Sequence, residues 1–119
     1  MNNDLVYLIW NDNQNNKNYV VAKLYRDNNK YYFEYITKNI EEAKKQGFNL
    51  LISFPDENKV YTNNRLFATF SSRLPDKRRP DIGKILETYK MSEYDEFELL
   101  KRSGAKLPTD NFEFVSSLD

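Results

Sequence analysis

Residues 5 to 36 carry strand periodicity three times over, with Asn-rich breaks between the runs. Leu5-Val6-Tyr7-Leu8-Ile9-Trp10 is apolar at successive positions, the pattern of a strand buried on both sides. Asn11 to Asn18 (NDNQNNKN) is polar and turn-rich and predicts a hairpin loop. From Tyr19 to Arg26 the chain alternates, with Val20, Ala22 and Leu24 on one face and Tyr19, Val21, Lys23 and Tyr25 on the other. Asp27-Asn28-Asn29 predicts a tight turn, because Asn and Asp tolerate positive φ. Lys30 to Ile36 then places Tyr31, Phe33 and Tyr35 on one face. Connections this short join strands as an antiparallel meander.

Beyond Ile36 the period changes. Asn39, with Glu42 three residues on, predicts a capped helix from Ile40 to Gln46 that stops at Gly47. Leu50-Leu51-Ile52-Ser53-Phe54 predicts one more short strand, ended by Pro55-Asp56. Leu66, Phe67, Phe70 and Leu74 have helical spacing, and Pro75 stops that helix. Pro80 suits the first turn of the next helix, with Asp81 near its positive end and Ile82, Ile85, Leu86 and Tyr89 as its apolar stripe. Ser92 with Asp95 predicts a cap for a further helix that carries Phe97, Leu99 and Leu100 and ends at Ser103-Gly104. Phe112 to Val115 predicts a final edge strand. Strands first and helices after imply an α+β fold, an antiparallel meander sheet followed by a small helical cluster packed on one face.

A chain of 119 residues fits one domain, residues 1–119, with a single core. The apolar fraction is only 39%, so 9 Tyr and 8 Phe must supply much of that core. The sequence has no cysteine and no histidine. Those absences exclude thiolate nucleophiles, disulfides, the usual general base near neutral pH and the usual zinc ligands. With 3 glycines in the whole chain, neither a phosphate-binding loop nor a dinucleotide fingerprint can be built. The expectation is a non-enzyme with no cofactor, no metal and no small-molecule substrate. The 18 basic and 18 acidic residues balance, which argues against direct nucleic-acid binding. No run is long enough to cross a membrane and no signal segment precedes Leu5, so a cytoplasmic location is expected.

Three segments can carry function. Arg73-Leu74-Pro75-Asp76-Lys77-Arg78-Arg79-Pro80 concentrates basic residues; it suits an acidic or phosphate-bearing partner, or else a solvated loop whose arginines face a helix C-terminus. Tyr19, Tyr25, Tyr31, Tyr32 and Tyr35 can stack bases or anchor a partner, or pack across strands. Because both faces of the second and third strands are apolar or aromatic, a domain this small leaves one Tyr-bearing face open or against a partner. The carboxylates Asp56, Glu57, Glu93, Asp95, Glu96 and Glu98 can gather Mg²⁺ if they converge, but a turn and a helix N-terminus explain them equally.

The stretch Leu66-Phe67-Ala68-Thr69-Phe70-Ser71-Ser72-Arg73-Leu74-Pro75-Asp76-Lys77-Arg78-Arg79, then the Ile82–Tyr89 helix, then Asp95-Glu96-Phe97-Glu98-Leu99-Leu100 and Ser103-Gly104, resembles the N-terminal subdomain of HipA-type toxin kinases and the stand-alone HipS-type antitoxins built from it. The Val20–Ile36 hairpin and the Leu50–Phe54 segment sit in the order of that family. The resemblance implies a protein-binding module, antitoxin-like, that binds and inhibits or modulates a HipA/HipT-type Ser/Thr kinase toxin, with a helix-turn-helix DNA-binding protein as a further candidate partner. The expected partner-binding residues are Phe70, Ser71, Ser72, Arg73, Leu74, Asp76, Lys77, Arg78 and Arg79, with Phe67 and Phe70 expected in the core. The family often has Gly-rich positions near its Leu-Pro stretch where this chain has Lys77-Arg78-Arg79, which leaves the mode of contact open. The chain is also similar to the leading region of some bacterial proteins that continue into a HIRAN DNA-end-binding domain. That similarity gives the alternative, a nucleic-acid-associated adapter.

Overall fold

The computed structural model describes residues 4–118. Three strands, β1 (Leu5–Asp12), β2 (Lys17–Asp27) and β3 (Lys30–Tyr35), form the meander. Helix α1 (Thr37–Lys45) follows, then strand β4 (Tyr61–Asn63), helices α2 (Ala68–Ser71), α3 (Ile82–Thr88) and α4 (Glu96–Ser103), and strand β5 (Phe112–Val115). The sheet has the order β4-β3-β2-β1-β5, and every neighbouring pair is antiparallel. The class is α+β, as the order of periods implies.

The turns form where side chains can close them. The buried Asp12 carboxylate accepts the Gln14 and Asn15 amides and the Asn15 side chain, so the first hairpin tightens and both strands run further than composition suggests. Asn28 and Asn29 take φ of 50° and 63°, which an Asn tolerates in a two-residue hairpin turn. Between Leu8 and Ile9 the register slips: Leu8 faces Ala22 and Ile9 faces Val20, so Val21 is an extra residue in β2. This bulge lets both Val21 and Ala22 bury their side chains, which strict alternation forbids. Its carbonyls do not go unpaired. Val21 O accepts the Ile36 amide at 2.9 Å, and Val20 O accepts Asn39 Nδ2 at 3.0 Å. Asn39 therefore ties α1 to the bulge and does not cap it; α1 starts three residues earlier than expected, after Ile36.

One sheet face, carrying Val6, Leu8, Leu24, Phe33, Tyr35 and Phe114, is covered by Ile40 and Ala43 of α1, Phe70 of α2 and Phe97 and Leu100 of α4. The other face carries Tyr7, Ile9, Val20, Tyr25, Tyr32 and Val115, and among the described residues no helix contributes to a core over it. β1 is thus covered by a second layer on one side only; Tyr7 remains half-exposed, while Ile9 is buried by its strand neighbours.

The expected strand at Leu50–Phe54 does not form. That run makes a turn in which Phe54 N donates to Leu51 O, while the buried Tyr35 hydroxyl donates to Phe54 O at 2.8 Å and accepts from Leu51 N at 2.9 Å. A single phenol occupies the backbone groups a ladder would need. The place beside β3 goes instead to Tyr61–Asn63. The expected helix through Leu66–Leu74 shrinks to the single turn of α2, because Phe67 stays extended as its N-cap and Phe54 packs edge-on to it at 5.2 Å. The Ser92–Asp95 pair does not act as a cap; Asp95 itself caps α4 by accepting Glu98 N. The Gly47 and Gly104 stops stand: both have positive φ, and at Gly104 an added Cβ would lie 3.3 Å from Phe114 O.

Replacing Tyr35 by Phe leaves Leu51 N–H and Phe54 C=O without that hydroxyl. The expected cost is about 1–3 kcal/mol of unfolding free energy, measured by urea denaturation, with little change in the sheet's circular dichroism.

Candidate partner-binding site

The segment after α2 divides its side chains between inside and outside. Phe70 points inward, 2% exposed, with ring centroids 5.4 Å from Phe33, 5.6 Å from Phe54 and 5.1 Å from Phe114. Three residues on, Arg73 turns towards the other end of the chain. Its Nε donates to Ala105 O at 2.7 Å, its two terminal nitrogens reach the Asp110 carboxylate at 2.6 and 3.1 Å, and one of them also donates to Phe112 O at 3.0 Å. The Arg73 side chain is 10% exposed and Asp110's is 32%. A planar fork that satisfies two backbone carbonyls and a carboxylate at once is a role only arginine fills. The hydrogen bond from Arg73 holds the Asp110 carboxyl below its usual range.

Beyond Arg73 the loop is exposed. Asp76 accepts the Arg78 amide and pairs with its guanidinium, and Arg79 pairs with Asp81. The Arg78 side chain at Asp76 lowers that carboxyl to about 2. Tyr94 Oη donates to Pro75 O at 2.7 Å, so the loop is held from a second side, and burial raises the Tyr94 phenol. Pro75, Asp76 and Tyr94 border a cavity of about 840 Å³ whose walls include Ser71, Ser72, Leu74, Lys77, Arg78 and Glu93. Arg26 and Tyr31, paired across β2 and β3, also line it. Arg26 pairs with Asp4 at 2.8 Å and with the α4 cap Asp95 at 3.1 Å, and lies over the Phe97 ring at 5.0 Å. Among the described residues Lys77, Glu93 and Glu96 enter no ion pair. The cavity therefore presents the Lys77 ammonium and the Glu93 and Glu96 carboxylates outside any ion pair among the described residues.

Of the nine residues expected to contact a partner, Ser71, Ser72, Leu74, Asp76, Lys77 and Arg78 line this one cavity. Phe70 belongs to the core, Arg73 is folded inward, and Arg79 lies on a neighbouring groove between α3 and α4 with Ile85, Tyr89 and Leu107. Sequence patterns did not single out Arg26, Tyr94 or Asp110: each makes an anchoring contact with a residue 19 or more positions away. The tyrosines do not share one surface. Tyr35 is buried, Tyr31 lies beside Phe97, Tyr19 lies against Trp10, and Tyr25 and Tyr32 stack on each other at 5.0 Å on the open sheet face. The acidic residues are also dispersed: Glu57 pairs with Lys44, Glu98 with Arg102, and Asp56 accepts the Asn58 amide in a turn. Among the described residues no group of three or more acidic side chains is placed to hold a metal ion, and no helix is long and apolar enough to cross a membrane.

The chain matches the model of the HipA N-terminal domain over residues 15–108. No curated protein and no solved structure gives a match. The match spans most of the chain, from the second strand to the loop before β5, and the chain belongs to the HipA N-terminal domain family. That family is linked to toxin–antitoxin systems and to association with a HipA-like kinase.

Arg73→Ala strands two carbonyls and a partly exposed carboxylate, and is expected to cost about 2–4 kcal/mol, discounted for the water that still reaches Asp110. Arg73→Lys is expected to recover only part of this. Because Asp110's folded pKa is depressed, its contribution is present above its usual value of 3.8 and is lost as pH falls through the lower folded value. Chemical denaturation at neutral pH and near pH 3 checks both points, and the Arg73→Ala protein is expected to lose this acid sensitivity.

Proposed function

We propose that this chain is a non-catalytic, cytoplasmic protein-binding module of the antitoxin kind, which binds and inhibits or modulates a HipA/HipT-type Ser/Thr kinase. The observation that carries this is the loop Leu74–Arg79, which projects Lys77 and Arg78 over a roomy polar cavity while Arg73 and Tyr94 fix it from behind. A preformed loop loses little conformational freedom on docking. Its cations suit a kinase cleft, where acidic metal ligands and nucleotide phosphates concentrate, and Glu93 and Glu96 suit a basic rim on the same partner. Ser71, Ser72, Leu74, Asp76, Lys77 and Arg78 make the contact, Arg79 extends it towards α3, and Phe70 and Arg73 hold its shape. The family assignment supports a kinase as the partner class. A helix-turn-helix protein is a further member of such an assembly. The alternative, a nucleic-acid adapter, has less behind it, since net charge is zero and the tyrosines offer no single stacking platform.

The test is binding of the purified chain to a HipA-like kinase core, with wild type against Lys77→Glu/Arg78→Glu. The double variant is expected to bind at least about ten-fold more weakly, chiefly through slower, less salt-dependent association, with an unchanged melting temperature. Equal binding by both proteins, or none by the wild type, would remove the proposal; tight salt-dependent binding of the wild type to DNA or RNA would favour the adapter.

A further inference from the structure

Among the described helices α3 alone has no buried residue, although Ile82, Ile85, Leu86 and Tyr89 give it an apolar stripe. A helix this short has little stability of its own. Its C-terminal end is held by Arg102, whose Nη1 donates to Tyr89 O at 2.8 Å and to Lys90 O at 3.0 Å. The stripe is thus fixed in place while its side chains stay half-exposed. Beside it runs a groove of about 560 Å³, lined by Ile85 and Tyr89 from α3 and by Leu74 and Leu107. Leu99 of α4 lines it too, buried apart from the core over the sheet. The charged lining has one sign. Arg73, Arg79 and Lys106 border the groove, and among the described residues no acidic side chain does. The neighbouring cavity, by contrast, mixes Asp76, Glu93 and Glu96 with Lys77 and Arg78. Arg73 is committed to Asp110, and Arg79 shares a half-exposed pair with Asp81, which solvent leaves weak. Lys106 is exposed and enters no ion pair among the described residues.

We propose that this groove docks a short acidic and apolar segment of a partner protein. An Asp or Glu of the segment meets Lys106 and Arg79, and bulky apolar side chains cover Ile85, Tyr89 and Leu107. An apolar groove with a purely basic rim complements a carboxylate set beside apolar groups. The hydroxyls in the groove decide for a peptide. Ser72 Oγ donates to Thr69 O at 3.3 Å, and Thr88 Oγ1 donates to Lys84 O at 2.9 Å. With their protons spent inside the fold, both offer only lone pairs to the groove. Lone pairs suit the N–H donors of a peptide backbone, which a fatty acid lacks. Recognition of this kind rests on a few anchoring side chains in a groove and needs no broad interface. The inference goes beyond the kinase-binding reading and does not rest on it, since Lys106 and Ile85 lie outside the basic loop.

Selection of displayed random peptides on the immobilised whole chain tests it, followed by fluorescence anisotropy with the selected peptides. The enriched sequences are expected to carry Asp or Glu next to Leu, Ile or Phe. Lys106→Glu is expected to weaken their binding at least about ten-fold, with an unchanged melting temperature because the side chain is exposed. A selected peptide whose carboxylate is changed to Lys is expected to regain binding to that variant. Enrichment of basic or uncharged sequences, acidic peptides that bind Lys106→Glu as they bind the wild type, or no enrichment at all would overturn the proposal. So would a wild type whose mass in solution rises above 14.2 kDa and returns to it with Lys106→Glu, since a second copy would then fill the groove. No kinase takes part, so the outcome is separate from that of the Lys77→Glu/Arg78→Glu comparison.

Discussion

The ring of Phe70 touches Phe33 from β3, Phe54 from the pinned turn, Phe67 from the start of α2 and Phe114 from β5. Those segments span the chain from its first third to its end, and Phe70 is where they meet. Large rings make this possible with few residues: each buried phenylalanine contributes about 1.5–3 kcal/mol, and its edge-to-face contacts add to that. A sequence with a low apolar fraction can close a core around them. The shortness of α2 follows from the same packing. A helix that continued in either direction would pull Phe67 off Phe54 or Arg73 away from its carbonyls.

From that centre the exposed loop inherits its position. Phe70 fixes α2 on the sheet, and Arg73 fixes the chain after α2 to the Ala105–Phe112 segment. Tyr94 and the Arg26–Asp95 pair hold the opposite wall, so the cavity lies between two anchored segments. By contrast α3 has no buried residue, and its apolar stripe of Ile82, Ile85, Leu86 and Tyr89 is only half-covered. Order around the cavity thus comes from single polar clamps more than from helix packing. Such clamps are sensitive to the identity of one side chain in a way that a distributed core is not.

The sequence makes legible what depends on neighbours in the chain. The meander, the Asn28–Asn29 turn, the Gly47 and Gly104 stops and the Phe112–Val115 strand all follow from local period or local φ, and each stands. The failures involve distant partners. Leu50–Phe54 has strand composition, but the Tyr35 hydroxyl takes its backbone. Asn39 has capping chemistry, but a bulge some twenty residues earlier offers its side chain a free carbonyl. In the basic cluster, proximity in sequence suggested four equivalent cations. Yet Arg73 is folded inward, Arg78 and Arg79 pair locally, and within the cluster Lys77 is the residue in no ion pair. Asp76 and Asp81, two residues from their partners, engage Arg78 and Arg79, but the inward turn of Arg73 depends on Asp110, 37 positions away.

The neighbour of the first strand across the sheet is the last one: Tyr7 faces Val115 and Leu8 faces Phe114. Closing that pair requires a loop of nearly the whole chain, and chain-closure entropy makes such contacts late events in folding. The partners of Arg73 lie in the same terminal stretch. During synthesis the meander can therefore assemble while one edge of β1 is still bare and the arginine that will shape the basic loop has nothing to hold. The loop takes its form only once Ala105, Asp110 and Phe112 have joined the fold, so the shape of this surface reports on the docking of the β5 segment.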